Sequence, residues 1–237
     1  DWPTINKMII NKKIDIGVKE VMEAYFTDNI KIQYMAYLPL NEQFLDLAID
    51  SWEFRWDCLG GYGILPWSAR LIKKYLPKMG LFTYIYNDFI DWNIELLHQL
   101  DAIFLWSHFA YNEKFNWDEE FFKEFDHKIN FDETIHDSYK MNWLYLKKNK
   151  AIVWTDFLLE RYYDYLREDK DFWKELSWNN LNAHWSPSII ENYVEHWDWS
   201  GLSRNENLCW SDGLIHKYEN YWDWYLLSLN DSIKWSV

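Results

Sequence analysis

Glycine and proline are scarce in this chain, 7 and 5 of 237 residues, which excludes collagen-like and low-complexity disordered classes. Basic residues are short as well: 24 Lys and Arg stand against 38 Asp and Glu, a net charge of −14. Such a chain repels phosphate backbones, and no Lys/Arg cluster longer than "KK" or "LKKNK" offsets that, so nucleic acid is not an expected partner. No apolar run approaches the ~18 residues of a membrane span, and nothing at the start reads as a signal peptide, so membrane insertion is not expected. The two cysteines, Cys58 and Cys209, fit a reducing compartment or a secreted protein that needs no disulfides. The compartment stays open, with the cytoplasm favoured. Asp1 at the start and "IKWSV" at the end read as cut ends, of a processed form or of a piece of something longer.

Aromatics are what the chain has in excess: 21% of residues, 18 of them Trp. They recur in register. "LPWSARLIKKY" at 65–75 returns as "LCWSDGLIHKY" at 208–218. An apolar-x-Trp motif ends at Trp67, Trp92, Trp117, Trp154, Trp185, Trp210 and Trp235, with spacings of 25, 25, 37, 31, 25 and 25. Each Trp precedes a helix-capping residue type: Ser68, Asn93, Asp118, Thr155, Ser186, Ser211 or Ser236. Pro187 falls where a first helical residue loses nothing by lacking an N–H. Counting from the cap, positions three, four and seven are apolar or aromatic, as in Leu71, Ile72 and Tyr75 or Leu214, Ile215 and Tyr218. Those positions share one helix face, so a short amphipathic helix is expected after every cap. The Trp ahead of the cap and the residue at position four form a hydrophobic staple.

A second landmark comes 14 residues after several of these Trp, at Leu81, Trp106, Trp199 and Trp224, and an Asn lies six further on at Asn87, Asn112, Asn205 and Asn230. Asn149 and Asn179 add to that set. Asn tolerates left-handed backbone, so a second, shorter helix closed by that Asn is expected. The pattern slips between 126 and 173. There Phe131 with Asp132 imitates a Trp and cap, "FDETIHDSY" imitates the helix, and an extra half-unit or a bend is expected.

The expected fold is all-α: a right-handed-type α-solenoid of about 25-residue two-helix repeats, in which stacked units bury indoles that no single unit can cover. Residues 1–51 would form an atypical or capping region and 52–237 the Trp-rich repeats. A leucine-rich-repeat-like α/β solenoid is the alternative, suggested by "LSRNENL". The combined pattern "W-x-x-L-S-x-N-x-x-L-x-W-S-x-x-L-I-x-x-Y-x-x-x-W-D-W" resembles the Trp-rich tandem-repeat proteins of bacteria and giant viruses, clearest over 185–237 and moderate over 52–125. Those proteins carry no agreed biochemical activity, so the resemblance implies an architecture and leaves function open.

No chemical motif converges. His98 and His216 share one repeat position, and His184 and His196 each precede a Trp, so they read as solvated or packing residues. His127 and His136 with Asp126 and Asp132 form the one local cluster, without the spacing of a zinc site. Asp118, Glu119 and Glu120 fit a helix N-terminus better than a pair of glycosidase carboxylates. Gly60, Gly61 and Gly63 lack the Lys and spacing of a phosphate loop. Cys58 and Cys209 fall too many units apart for a disulfide. No catalytic, cofactor-binding or metal residue is assigned, no cofactor is expected, and the binding residues and oligomeric state are left unknown. The expected function is a non-catalytic repeat scaffold binding another macromolecule, a protein, with a basic protein as the concrete case. The alternative is carbohydrate binding by exposed aromatics such as Trp52 or Trp178, which lie off the repeat register. Residues 126–150 are where a binding concavity would be sought first.

Overall fold

The computed structural model describes residues 42, 45, 46, 56, 67–79, 84, 85 and 90–235. They belong to two compact units, 1–109 and 110–237. The expected boundary at 51/52, and the residues Trp52, Cys58, Gly60, Gly61, Gly63, Leu81, Asn87 and Ser236, lie outside the described residues.

In the first unit, α1 (Ala69–Met79) comes after Trp67 and Ser68, whose Oγ accepts from the Leu71 amide at 3.4 Å. Helix α1 buries Leu71, Ile72 and Tyr75, the face that the spacing predicts. Its outer side is pinned by Glu42, which accepts from Arg70 at 2.6 and 2.5 Å and from Lys74 at 2.9 Å. Those two cations hold the Glu42 carboxyl down to about 2. Helix α2 (Ile94–Leu100) is capped by Asn93 and buries Leu96, Leu97 and Leu100. Helix α3 (Trp106–Phe109) then closes an aromatic knot, with Trp92, Trp106 and Phe109 standing 5.4, 4.8 and 5.1 Å from the Phe104 ring.

The second unit runs α4 (Glu119–Phe125), β1 (Ile129–Asn130), β2 (Met141–Asn142), α5 (Trp143–Leu146), β3 (Val153–Trp154), α6 (Asp156–Arg161), α7 (Tyr163–Leu166), α8 (Lys170–Ser177), β4 (Asn182–Ala183), α9 (Pro187–Asn192), α10 (Trp199–Arg204), α11 (Asp212–Lys217) and α12 (Trp224–Ser228). Caps fall where the sequence puts them. Asp118, Thr155, Ser186 and Ser211 each accept from the amide three residues on. The faces behind Asp118, Thr155 and Ser186 are buried at positions three and four, as expected, whereas Leu214 and Ile215 of α11 are only half-buried.

The all-α solenoid is overturned. A cap residue needs extended backbone, so the apolar-x-Trp segment leading into it is extended too, and its peptide groups require partners. Ahead of Thr155 and Ser186 they find them in one another, whereas the Trp92 and Trp210 amides bond to Ile90 and Leu208 within their own segments. Strands β3 and β4 pair in parallel, Val153 with Asn182 and Trp154 with Ala183, and β1 pairs in parallel with β2. The class is mixed helix and strand. The leucine-rich-repeat alternative fails as well, because the strands make two separate two-stranded sheets among the described residues and not one continuous row.

Two smaller expectations also change. "FDETIHDSY" forms no helix: the Asp132 carboxylate accepts from Thr134 two residues on, making an Asx turn, and Ile135 is exposed where a buried helix face would need it. Asn205 does close α10, but with extended backbone (φ −71, ψ 112); among the described residues other than glycine, left-handed backbone occurs at Asn179 alone (φ 60). Asn149, Asn205 and Asn230 are buried and use their side chains instead. Nδ2 of Asn205 donates to the Ser177 carbonyl, and Nδ2 of Asn230 donates to the carbonyls of Ser203 and Asn205. Nδ2 of Asn149 likewise donates to the carbonyls of Ala110 and Asn112. Each Oδ1 accepts from the amide two residues on.

Candidate functional site

Helix α8 carries Trp173 on its buried face, with Nε1 donating to the Leu166 carbonyl at 2.8 Å. The chain that leaves α9 folds back over this indole. Tyr193 lies 5.2 Å from it, His196 stacks on it at 4.8 Å and 16°, and Trp197 meets it edge-on at 5.0 Å. His196 is held by a 2.8 Å bond between its Nε2 and the Tyr163 hydroxyl. The amide of Asp198 then closes the box by donating to Ser177 Oγ at 3.1 Å, while that hydroxyl donates to the Trp173 carbonyl. Burying so large a ring among edge-on and stacked aromatics adds ~0.5–1.5 kcal/mol per pair beyond area.

The same box recurs over Trp199 in α10. Tyr218, Tyr221 and Trp222 lie 5.1, 4.7 and 4.8 Å from its ring. The Asp223 amide donates to Ser203 Oγ at 2.9 Å, and Ser203 donates to the Trp199 carbonyl. The turn that delivers the covering rings is fixed by indole bonds of one type: Trp197 to the Ile190 carbonyl at 3.1 Å and Trp222 to the Ile215 carbonyl at 3.0 Å, each seven residues back. Trp143 in α5 has a looser version, with Tyr162 at 5.1 Å and Tyr165 at 6.2 Å. Burial, and then the bond to Asp126, push the Tyr162 hydroxyl far above its ordinary range.

Trp224 in α12 occupies the equivalent place and is open. Its Nε1 donates to the Glu219 carbonyl five residues back, as Trp199 does to Val194. Yet Trp224 is 51% exposed, and among the described residues no ring packs on it. Tyr221, Tyr225, Leu229 and Trp235 are exposed in the same stretch, Tyr225 at 73%. Ser228, the counterpart of Ser177 and Ser203, is exposed and turns its hydroxyl to the Tyr225 carbonyl. These exposed residues, all within 221–235, are the candidate site: large apolar side chains with the exposed Ser228 and Asp231 in the same stretch of sequence.

The residues singled out in the sequence fare differently. Asp126 accepts from Tyr162 and Arg161, and Asp132 from Thr134, so both carboxylates near His127 and His136 are engaged; no three His, Cys, Asp or Glu side chains gather to hold a metal among the described residues. Asp118 caps α4 with Glu119 and Glu120 in its first turn. Trp178 packs on Gly201, bonds Asp198 through Nε1 and is half-buried, which removes it as an open platform. Cys209 is an exposed free thiol lining a pocket of about 230 Å³ with Trp185, Pro187 and Leu214. A groove of about 700 Å³ does touch the 126–150 segment, at Glu133, Leu144, Lys147 and Lys148. Its walls are mixed in charge. Lys147 bridges Glu133 at 2.8 Å and Asp169 at 2.7 Å, and although burial opposes both charges, those bonds hold Lys147 above and Asp169 below their ordinary ranges.

Sequence reading missed the aromatic boxes. Their signal was present in "EHWDW" and "NYWDW", where the first Trp covers a Trp of the preceding unit, Trp173 or Trp199, and the second occupies the receiving place. Among the described residues no helix is long and apolar enough to cross a membrane. Compared with known proteins, the chain matches no family model, no curated protein and no solved structure.

Proposed function

We propose that this chain is a non-catalytic module that binds another protein through the exposed apolar residues Trp224, Tyr225, Leu229 and Trp235. The observation that carries the reading is the exposure of Trp224, whose counterpart Trp173 is 2% exposed beneath three rings. Exposed Trp and Tyr are the residue types that anchor protein interfaces, since they supply large apolar area at small conformational cost. The net charge of −14, with Glu219, Asp223 and Asp231 beside these anchors in the sequence, favours a partner with basic residues around its contact. The test replaces Tyr225 by a photo-crosslinking phenylalanine analogue in the source cell. The reading expects one protein crosslinked there, with the yield falling as salt rises and lost in a Trp224→Ala background. Crosslinking to no protein overturns it.

A second reading, carbohydrate binding, draws on the same open rings of Trp224 and Tyr225, which could stack on sugar faces. Quenching of Trp fluorescence by an oligosaccharide, abolished by Trp224→Ala, would favour it over protein binding.

A further inference from the structure

Resting on that protein-binding reading, we infer that the open face at Trp224 takes a segment of the form Tyr-x-x-Tyr-Trp-Asp from its partner. The two closed boxes spell out this ligand. Over Trp173 the cover is "YVEHWD", residues 193–198, and over Trp199 it is "YENYWD", residues 218–223. In both, the first ring and the fourth lie against the indole, the Trp meets it edge-on, and the Asp amide reaches a serine four residues beyond the covered Trp. In both, an Asn seven residues past that Asp sends Nδ2 to the carbonyl of the same serine. His196 in the first box, where Tyr221 stands in the second, shows that the fourth position accepts either flat ring.

Trp224 and Ser228 repeat the receiving half of this arrangement, at the same spacing of four. The indole is anchored from behind by its bond to Glu219, as Trp199 is by Val194, so its free face needs no rearrangement to accept a ring. Ser228 sends its hydroxyl to the Tyr225 carbonyl, three residues back, where Ser177 and Ser203 send theirs four residues back, to the carbonyl of the covered Trp. A polypeptide of this form engages the ring, the serine hydroxyl and the serine carbonyl together, as residues 193–205 and 218–230 do in the two closed boxes.

The test uses a dye-labelled peptide with the sequence of residues 217–230, added to the full chain, with binding read by fluorescence anisotropy. The expected result is saturable binding, weakened at least ~10-fold by Trp224→Ala and also weakened by Ser228→Val, but unchanged by Tyr139→Ala at an exposed ring elsewhere. A peptide with Ala at the positions of Tyr218, Tyr221 and Trp222 should not bind. Absence of binding to the unaltered chain, or binding indifferent to Trp224→Ala, overturns the inference. So does self-association that Trp224→Ala abolishes, which would give the face to a second copy. If the peptide fails while the Tyr225 crosslink to a partner succeeds, the segment is wrong and the protein-binding reading stands; if the crosslink fails as well, both fall.

Discussion

The side-chain amide of Asn205 reaches back to the carbonyl of Ser177 and donates to it at 3.1 Å, joining residues 28 apart in the chain. Both groups are buried, and the Asn205 Oδ1 at the same time accepts from the Asn207 amide. Asn205→Ala should therefore leave a buried carbonyl and a turn amide unpaired, at a cost of ~1–3 kcal/mol in urea denaturation. Asn205→Asp should be no better, because a carboxylate cannot donate to a carbonyl and would be buried beside one.

Caps offer a graded series. Among the described residues Ser211 Oγ makes only the cap bond to Leu214, in an exposed setting, so Ser211→Ala should lose ~1 kcal/mol. Ser186 Oγ also donates to Asp156 at 3.0 Å. Ser186→Ala should cost more than Ser211→Ala, and the same urea curves will order them.

Gly201 lies under the Trp178 indole, where an added Cβ would come within 2.6 Å of Cδ1. Gly201→Ala must displace that ring and strain its bond to Asp198, costing ~1–3 kcal/mol. The indole N–H resonance of Trp178 should move in a two-dimensional NMR spectrum, and an unmoved resonance would contradict the packing.

The Lys147–Asp169 pair sets a pH window. Asp169 is held below its ordinary 3.8, so its contribution is present above that value and is lost as pH falls through the lower folded one. Lys147 is held above 10.5, so its contribution is present below that and is lost as pH rises through the higher folded one. Thermal unfolding should thus weaken on both sides of that window. Lys147→Met alone leaves the half-buried Asp169 carboxylate without this cation and with the Phe172 amide that it caps, and should lose ~1–3 kcal/mol at neutral pH. Combining it with Asp169→Asn should recover part of that loss and flatten the acid side.

How far the sequence led can be read from these same residues. Local rules act within a few positions, so Ser186, Ser211 and their neighbours could be placed as caps from identity alone, with the burial of Ile189 and Ile190 following from helical spacing. Pairing between distant segments has no such rule. Nothing in Val153 or Asn182 announces that they lie side by side, and the strands they form turned an all-α expectation into a mixed fold. Asn205 was marked by its recurrence but given a backbone role, because a left-handed turn is a local property and a 28-residue reach is not. The open site was hidden for a related reason: Trp199 and Trp224 are alike in sequence and differ only in what covers them.

That difference is directly measurable. With 5-fluorotryptophan incorporated and each resonance assigned by single Trp→Phe substitution, the solvent isotope shift of the fluorine signal reports how much water each indole meets. The account predicts the smallest shift at Trp173, a larger one at Trp199 and the largest of the three at Trp224, with the Trp224 signal changing when the 217–230 peptide is added. A Trp224 signal as shielded as that of Trp173 in the chain alone would contradict it.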